Sequence, residues 1–224
     1  FKDKRLKYYY IHKKVSLYES RNAALKKASG KFISFLDVDD YWFKDKLKKQ
    51  IIKFKDKNVG LVYGKYWKIN PKNLIRKKQL IAKENLPTGN VTKELLKNYY
   101  VGLLTIIIRK KFVTKYKEVF KVKYNYLGDL DFVLRFSIKH KFEAIQEPIG
   151  VYRQHENQMQ RKNFETKSRQ FALWFKDIKR SKIFGEEENL ALFEEWGRFQ
   201  SVLTLIKLKQ YIKSIKEIIN YPNN

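Results

Sequence analysis

Cysteine is absent from this sequence, which excludes disulfide bonds and metal sites built from thiolates. Long hydrophobic runs are absent as well, since no apolar stretch approaches the roughly 20 residues of a membrane-spanning helix, and no secretory signal is visible. We therefore expect a cytoplasmic protein, either in solution or peripheral at the inner face of the cell membrane. Methionine occurs once, as Met159, and the chain begins at Phe1, so we expect a segment of a longer protein.

Acidic residues are scarce relative to basic ones, with 23 Asp and Glu against 50 Lys and Arg and a formal net charge of +27. Such a charge attracts nucleic acid, anionic lipid headgroups and anionic sugar nucleotides. An AT-rich genome explains the same bias, because Lys, Ile, Asn, Tyr and Phe are all abundant. The 224 residues are 43% hydrophobic, which is enough for one substantial core with an appendage. The net charge alone therefore does not identify which of these anionic molecules the protein binds.

An abrupt change from apolar to acidic residues marks the most informative segment. Residues 32–36 are almost continuously apolar, as in a strand covered on both faces of a parallel sheet, and Asp37, Asp39 and Asp40 follow them. Ligands of such sheets bind beyond the carboxyl ends of the strands, and carboxylates grouped this closely suit Mg²⁺ or Mn²⁺. In isolation, the commoner explanation of such a triplet is an acidic turn that caps the next helix, here one starting near Tyr41.

The segments around the triplet favour a binding site. Before it, residues 20–31 are typical of a short helix with a small-residue face that stops at Gly30. After it, residues 43–54 repeat apolar side chains at helical spacing, and the apolar strand Val59–Tyr63 follows. The predicted order is helix, strand, acidic turn, helix and strand.

Several short elements succeed one another at a specific spacing: Arg21-Asn22-Ala23-Ala24, Ala28-Ser29-Gly30, Phe35-Leu36-Asp37-Val38-Asp39-Asp40, Trp42, Lys46-Leu47 and Gln50. In this order they resemble the family 2 glycosyltransferases of the GT-A fold. The resemblance implies an α/β fold, a Rossmann-like mixed sheet flanked by helices, whose first strands are absent from this chain. It also implies a nucleotide-sugar donor and a divalent metal, Mg²⁺ or Mn²⁺.

The resemblance assigns roles to individual residues of the first elements. It implies that Asp37 and Asp39 bind the metal that bridges the donor diphosphate, with Asp39 as the direct ligand and Asp37 in contact with ribose or water. It implies that Arg21 and Asn22 line the nucleotide side of the cleft.

A second element of the family lies at Gly128-Asp129. Phe132, Val133 and Phe136 form a helical stripe that places Asp129 in the first turn, where the helix dipole favours carboxylates. By itself an acid in a first turn is ordinary capping. Family members carry a Glu-Asp or Gly-Asp pair here, and the resemblance implies that Asp129 is the general base.

A third element, Tyr152-Arg153-Gln154-His155, is similar to a segment that follows the last strand in many members. The resemblance brings Arg153 near the diphosphate and offers His155 as a metal ligand, where a cation or an imidazole helps the leaving group depart. A strand end with exposed polar residues explains this segment equally well.

We therefore predict a glycosyltransferase that moves a sugar from a nucleotide-sugar to a hydroxyl of a saccharide or lipid-linked acceptor. A divalent metal neutralises charge on the leaving phosphate, a carboxylate accepts the proton, and a single displacement inverts the anomeric centre. The predicted domains are a partial GT-A domain over 1–161 and a helical appendage over 162–224. Because the first strands are missing, the activity is expected of the longer parent protein.

Other functions remain open at this point. A basic, aromatic-rich chain is also typical of a nucleic-acid-binding module, with Tyr8-Tyr9-Tyr10 as a stacking surface, although that leaves Asp37 and Asp129 unexplained. A catalytically silent scaffold of the same fold, or a Mg²⁺-dependent phosphotransfer domain, also accommodates the acidic turn. Metal-dependent binding of a sugar nucleotide separates the transferase from the first two, and sugar transfer rather than phosphate release separates it from the third.

Overall fold

The protein was analysed as a computed structural model, which describes residues 3–70, 72, 78–155, 164–185, 187–207 and positions 209, 210, 213, 214 and 216. The helices are α1 (Leu17–Lys27), α2 (Lys46–Ile52), α3 (Thr92–Lys97), α4 (Lys110–Val113), α5 (Gly128–Ser137), α6 (Phe164–Ser181) and α7 (Glu187–Lys207). The strands are β1 (Phe32–Ser34), β2 (Tyr41–Trp42), β3 (Val59–Ile69), β4 (Lys78–Ile81), β5 (Ile107–Arg109) and β6 (Lys141–Arg153).

These strands form one mixed sheet in the order β1-β5-β3-β6-β2, with β4 added against β3. The long strands β3 and β6 run parallel, and every other pair in the sheet is antiparallel. Val59–Tyr63 opens β3 as a buried run, as expected for the centre of a sheet that is covered on both faces. The predicted mixed sheet flanked by helices, with further helices at the carboxyl end of the chain, is confirmed.

Two local predictions were wrong. The strand before the acidic turn is not in a parallel pair, because β1 lies at the edge of the described sheet and its one neighbour there, β5, runs antiparallel to it. The helix predicted near Tyr41 begins instead at Lys46. Tyr41 and Trp42 are drawn into a two-residue strand by Val151 and Gly150 of β6, a pairing between distant segments that local periodicity does not contain.

The core continues from the sheet into the carboxyl-terminal helices. Trp174 of α6 and Phe193 of α7 are fully buried in the same apolar cluster as Phe136 of α5. The indole Nε1 of Trp174 donates a hydrogen bond of 3.1 Å to Asp131, which also forms a buried ion pair of 2.6 Å with Arg135. The helices therefore pack on the sheet domain, and the domain boundary predicted between 161 and 162 falls outside the described residues. Within the described ranges, no helix is long and apolar enough to cross a membrane.

Candidate active site

A cleft of about 740 Å³ opens at the end of the sheet where the acidic turn, the start of α1, the start of α5 and the end of β6 converge. Its polar lining includes Arg21, Asp37, Asp39, Asp40, Asp129 and His155. Six tyrosines also line it: Tyr18, Tyr66, Tyr99, Tyr100, Tyr126 and Tyr152. The fold thus brings residues predicted from three separate sequence elements to one cavity.

The acidic turn is tightly closed. The Asp40 amide donates to the Asp37 carbonyl at 3.1 Å, and one side-chain oxygen from each of Asp37, Asp39 and Asp40 lies within 4.8 Å of the others. Burial raises the pKa of the Asp40 carboxyl to about 6, although a hydrogen bond from the Arg153 amide opposes this rise. Asp40 is therefore a third member of the cluster, and its place in the acidic triplet was the sequence signal for it.

Arg21 reaches the acidic turn from α1. Its Nη2 donates to both carboxylate oxygens of Asp37, at 2.6 and 2.8 Å, and its side chain is only 10% exposed. The position of α1 is fixed at its start by a capping box, in which the Ser16 and Glu19 side chains each accept from the other residue's amide. The guanidinium thus balances one of the three clustered charges.

The third predicted element lies on the other side of the turn, and its Tyr152 and Arg153 are the last residues of β6 rather than residues beyond it. His155 Nε2 is 2.9 Å from Asp39 Oδ2. Arg153 Nε donates to the Asp39 carbonyl, and the Arg153 amide donates to Asp40 Oδ1 at 3.0 Å. His155 lines the cleft, whereas Arg153 supports the turn from outside the cavity lining.

Asp129 stands in the first turn of α5, as predicted, and faces the cleft. Its Oδ1 accepts hydrogen bonds from the Tyr18 hydroxyl at 2.9 Å and from the Leu130 amide at 3.0 Å. Sequence reasoning missed Tyr18 altogether. The available signal was Gly128 beside the candidate base, because a glycine lets another group approach the backbone closely.

Besides Arg153, Asn22 is a predicted site residue that does not line this cleft. Its amide nitrogen donates to the Phe120 carbonyl at 2.7 Å, and its oxygen accepts from the Phe120 amide at 3.1 Å. Both polar atoms of the side chain thus bind backbone, and Asn22 lines a neighbouring groove instead. In this structure its contacts hold the segment before α5 against α1.

The tyrosines give the cleft a wall that is aromatic and polar at once. Tyr99 carries a buried hydroxyl that has no hydrogen-bond partner among the described residues, and burial raises its pKa well above the usual value. Burial likewise raises the pKa of Tyr66. Both phenols therefore stay protonated at neutral pH and are available as donors, and their ring faces suit the apolar face of a sugar.

The donor set of the acidic turn fits a hard divalent cation. Three carboxylates within 4.8 Å supply the oxygen ligands that Mg²⁺ and Mn²⁺ prefer, and the imidazole of His155 adds a nitrogen next to Asp39. Asp37, Asp39 and Asp40, with His155, are the residues that would hold such an ion. The same cavity is also lined by a carboxylate that does not belong to the cluster, that of Asp129.

Comparison with known proteins bears on this arrangement. The family model described as Glycosyl transferase family 2 matches residues 1–115, just over half of the 224-residue chain. Escherichia coli WfgD, named a UDP-Glc:alpha-D-GlcNAc-diphosphoundecaprenol beta-1,3-glucosyltransferase, is 35% identical over 107 residues, 48% of this chain and 40% of that protein. Bacillus subtilis (strain 168) TuaG, named a putative teichuronic acid biosynthesis glycosyltransferase, is 30% identical over 109 residues, 49% of this chain and 42% of that one.

The chain thus spans about two fifths of the length of these two curated relatives. Among solved structures, the crystal structure of S. aureus TarS 1-349 superposes with a TM-score of 0.52 at 20% identity, covering 92% of this chain and 58% of that one. At this identity the likeness shows the fold alone, and it agrees with the predicted fold class.

Proposed function

Because this chain belongs to glycosyl transferase family 2, we propose that the full-length protein transfers a sugar from a nucleotide-sugar donor to a hydroxyl group of a glycan or lipid-linked acceptor. The observation that supports this most directly is the shared cleft. It places a cluster of three carboxylates and a separate carboxylate, Asp129, around one cavity of about 740 Å³. A displacement at a sugar carbon needs one group to bind the leaving diphosphate and another to take the acceptor's proton.

The acidic turn is proposed to bind the donor diphosphate together with a divalent metal. When bound, Mg²⁺ or Mn²⁺ neutralises the charge that develops on the leaving phosphate. Asp39 and His155 are the proposed ligands, since their side chains already lie 2.9 Å apart in the cleft. Arg21 keeps Asp37 in place through two hydrogen bonds, and Asp37 contributes to the metal site or contacts the ribose.

Asp129 is proposed as the general base. Both of its side-chain hydrogen bonds use Oδ1, and Oδ2 accepts none from the residues that the structure describes. That oxygen is available to the acceptor hydroxyl, from which it takes the proton as the hydroxyl oxygen attacks the anomeric carbon. The C–O bond to the diphosphate breaks as the new C–O bond forms, so the product has the inverted configuration.

The acceptor class is proposed from the relatives. The printed name of WfgD specifies a diphosphoundecaprenol-linked acceptor, and that of TuaG specifies teichuronic acid biosynthesis, so we propose an acceptor of the cell envelope. A net charge of +27 favours peripheral contact with an anionic membrane, where such an acceptor resides. Binding to vesicles containing anionic lipid should occur at low salt and be lost at high salt. Absence of binding at low salt contradicts the membrane contact without affecting the proposed transfer.

The direct test is calorimetric titration of the full-length protein with a panel of sugar nucleotides, with Mn²⁺ and with EDTA. Binding of at least one donor in Mn²⁺ and its loss in EDTA are expected. Asp39→Ala should abolish the metal-dependent binding, whereas Asp45→Ala, which removes an exposed carboxylate outside the cleft, should leave it intact. If no sugar nucleotide binds the wild-type protein, the proposed function is wrong and a non-catalytic role takes its place.

A further inference from the structure

We propose that Tyr18 is the positioning residue for the candidate base, holding one oxygen of Asp129 so that the other faces the acceptor hydroxyl. The inference rests on the proposed function, in which Asp129 takes the proton. It adds a residue that lies on α1, 111 positions away from the base in sequence.

The contact between the two residues is reciprocal. The Tyr18 hydroxyl donates to Asp129 Oδ1 at 2.9 Å and accepts from the Asp129 amide at 3.2 Å. The Leu130 amide also donates to Oδ1, at 3.0 Å. With two donors on Oδ1, a change in the carboxylate's orientation would break both hydrogen bonds, so the position of Oδ2 is fixed as well. A base held in this way is already oriented for proton transfer.

The ring of Tyr18 is itself immobilised. Tyr18 is only 3% exposed, and its ring stacks on Phe120 with centroids 5.4 Å apart and an interplanar angle of 27°. The ring also packs closely against the backbone of Gly128, where an added Cβ would lie 2.8 Å from Cδ2 and Cε2 of Tyr18. Glycine at 128 therefore allows the phenol to reach Asp129, because any larger residue would place its Cβ against the ring.

The same turn of α1 also carries a residue that contacts the acidic turn. Arg21, three residues after Tyr18, has its guanidinium carbon 5.4 Å from the centroid of the Tyr18 ring and donates to both oxygens of Asp37. Helix α1 thus holds both the candidate base Asp129, through Tyr18, and Asp37 of the acidic turn, through Arg21. Burial raises the pKa of the Tyr18 phenol, so the hydroxyl remains a donor to Asp129 and does not compete with it as a base.

The test is steady-state kinetics of Tyr18→Phe in the full-length protein, with the donor that the binding panel identifies. Loss of a hydrogen bond to a charged group predicts a fall in kcat of about 10- to 100-fold. The KM for the donor should stay within about twofold, because donor contacts are not removed. Tyr63→Phe is the matched control: its hydroxyl is hydrogen-bonded to the Pro87 carbonyl at 2.8 Å, and its loss should leave kcat unchanged.

A double-mutant cycle separates positioning from general structural damage. If Tyr18 acts through Asp129, then Tyr18→Phe should change the residual rate of Asp129→Asn by less than about twofold. Gly128→Ala provides a second perturbation, because its methyl group displaces the ring, and it should lower kcat in the same direction as Tyr18→Phe.

The outcomes are distinct. Equal kcat in Tyr18→Phe and wild type, or an undiminished effect of Tyr18→Phe in the Asp129→Asn background, overturns the positioning role while leaving the proposed function in place. A wild-type protein that neither binds a sugar nucleotide nor transfers sugar refutes the proposed function itself, and the positioning role falls with it.

Discussion

The fully buried indole of Trp174 should determine whether α6 and α7 unfold together with the sheet domain. Trp174 packs among Phe171, Phe193 and Trp196, with ring centroids 5.5 to 5.8 Å from its own, and donates to the buried Asp131. Trp174→Ala removes the ring from this core, and buried Trp→Ala changes reduce the free energy of unfolding by about 3–5 kcal/mol. At about 2–4 °C per kcal/mol for a domain of this size, the melting temperature should fall by roughly 6–20 °C.

Trp174→Phe separates the hydrogen bond from the packing. Phe retains most of the apolar contact but leaves Asp131 Oδ1 without its indole donor, which should reduce the free energy of unfolding by about 1–3 kcal/mol. Leu173→Ala is the matched control, because Leu173 is the adjacent residue on α6 and is 46% exposed. Its effect should stay within about 0.5 kcal/mol.

The assay is urea unfolding followed both by far-UV circular dichroism, which reports the helices, and by tryptophan fluorescence in a Trp67→Phe, Trp196→Phe background, where Trp42 in the sheet is the one tryptophan left once Trp174 is replaced. We expect one transition with the same midpoint for both signals, shifted to lower urea in the Trp174 variants. Two separate transitions, with the Trp42 signal unmoved by Trp174→Ala, would refute the reasoning. The helices would then be an independent unit that only rests on the sheet.

Three further perturbations have definite expected outcomes. Burial lowers the pKa of Lys46 to about 7, so its folded form holds fewer protons than the unfolded chain between about pH 7 and 10.5, and stability should rise with pH there. Lys46→Met should therefore raise the free energy of unfolding, measured in urea, most at pH 6 and progressively less toward pH 10. The control Lys48→Met, at an exposed position, should change the free energy of unfolding by the same small amount at every pH in that range. Arg21→Gln leaves Asp37 unbalanced beside two other carboxylates, so Mn²⁺ should raise the melting temperature of the variant more than that of wild type; an equal rise contradicts this. Gly60→Ala places a Cβ 2.7 Å from the His140 Cβ, and calorimetry should show that the free energy of unfolding falls by about 1–3 kcal/mol, whereas unchanged stability would mean that the turn after α5 yields freely.

Much of the candidate site could be predicted because its chemistry is local in sequence. The acidic turn, the base at the start of α5 and the polar end of β6 each occupy a short segment with its own signature, and the structure gathers Asp37, Asp39, Asp129 and His155 around one cleft. The helical spacing over residues 43–54 and the apolar run Val59–Tyr63 located α2 and the start of β3 for the same reason, since such patterns involve residues that are close together in sequence.

What could not be predicted depends on pairing across long separations. The strand at Tyr41 and Trp42 exists because β6 arrives more than 100 residues later, and the edge position of β1 depends on the direction of β5. Likewise, no local sequence pattern predicts that the side-chain amide of Asn22 hydrogen-bonds to the Phe120 backbone. Tyr18 belongs to a helix with a weak apolar stripe, so only the glycine opposite it indicated its role.

The polar end of β6 also sets an order of events during synthesis. Asp39 and His155 are 116 residues apart, so at about 5–20 residues per second the ribosome adds the imidazole roughly 6–23 s after the carboxylate. Until then, the acidic turn in the nascent chain lacks both the imidazole and the β6 backbone that fix it. Long-range closure of this kind also slows folding, because loop-closure entropy is lost before the contacts form. The cleft therefore cannot be complete before the end of β6 has been synthesised, and a chain interrupted before residue 155 retains the acidic sequence without the site.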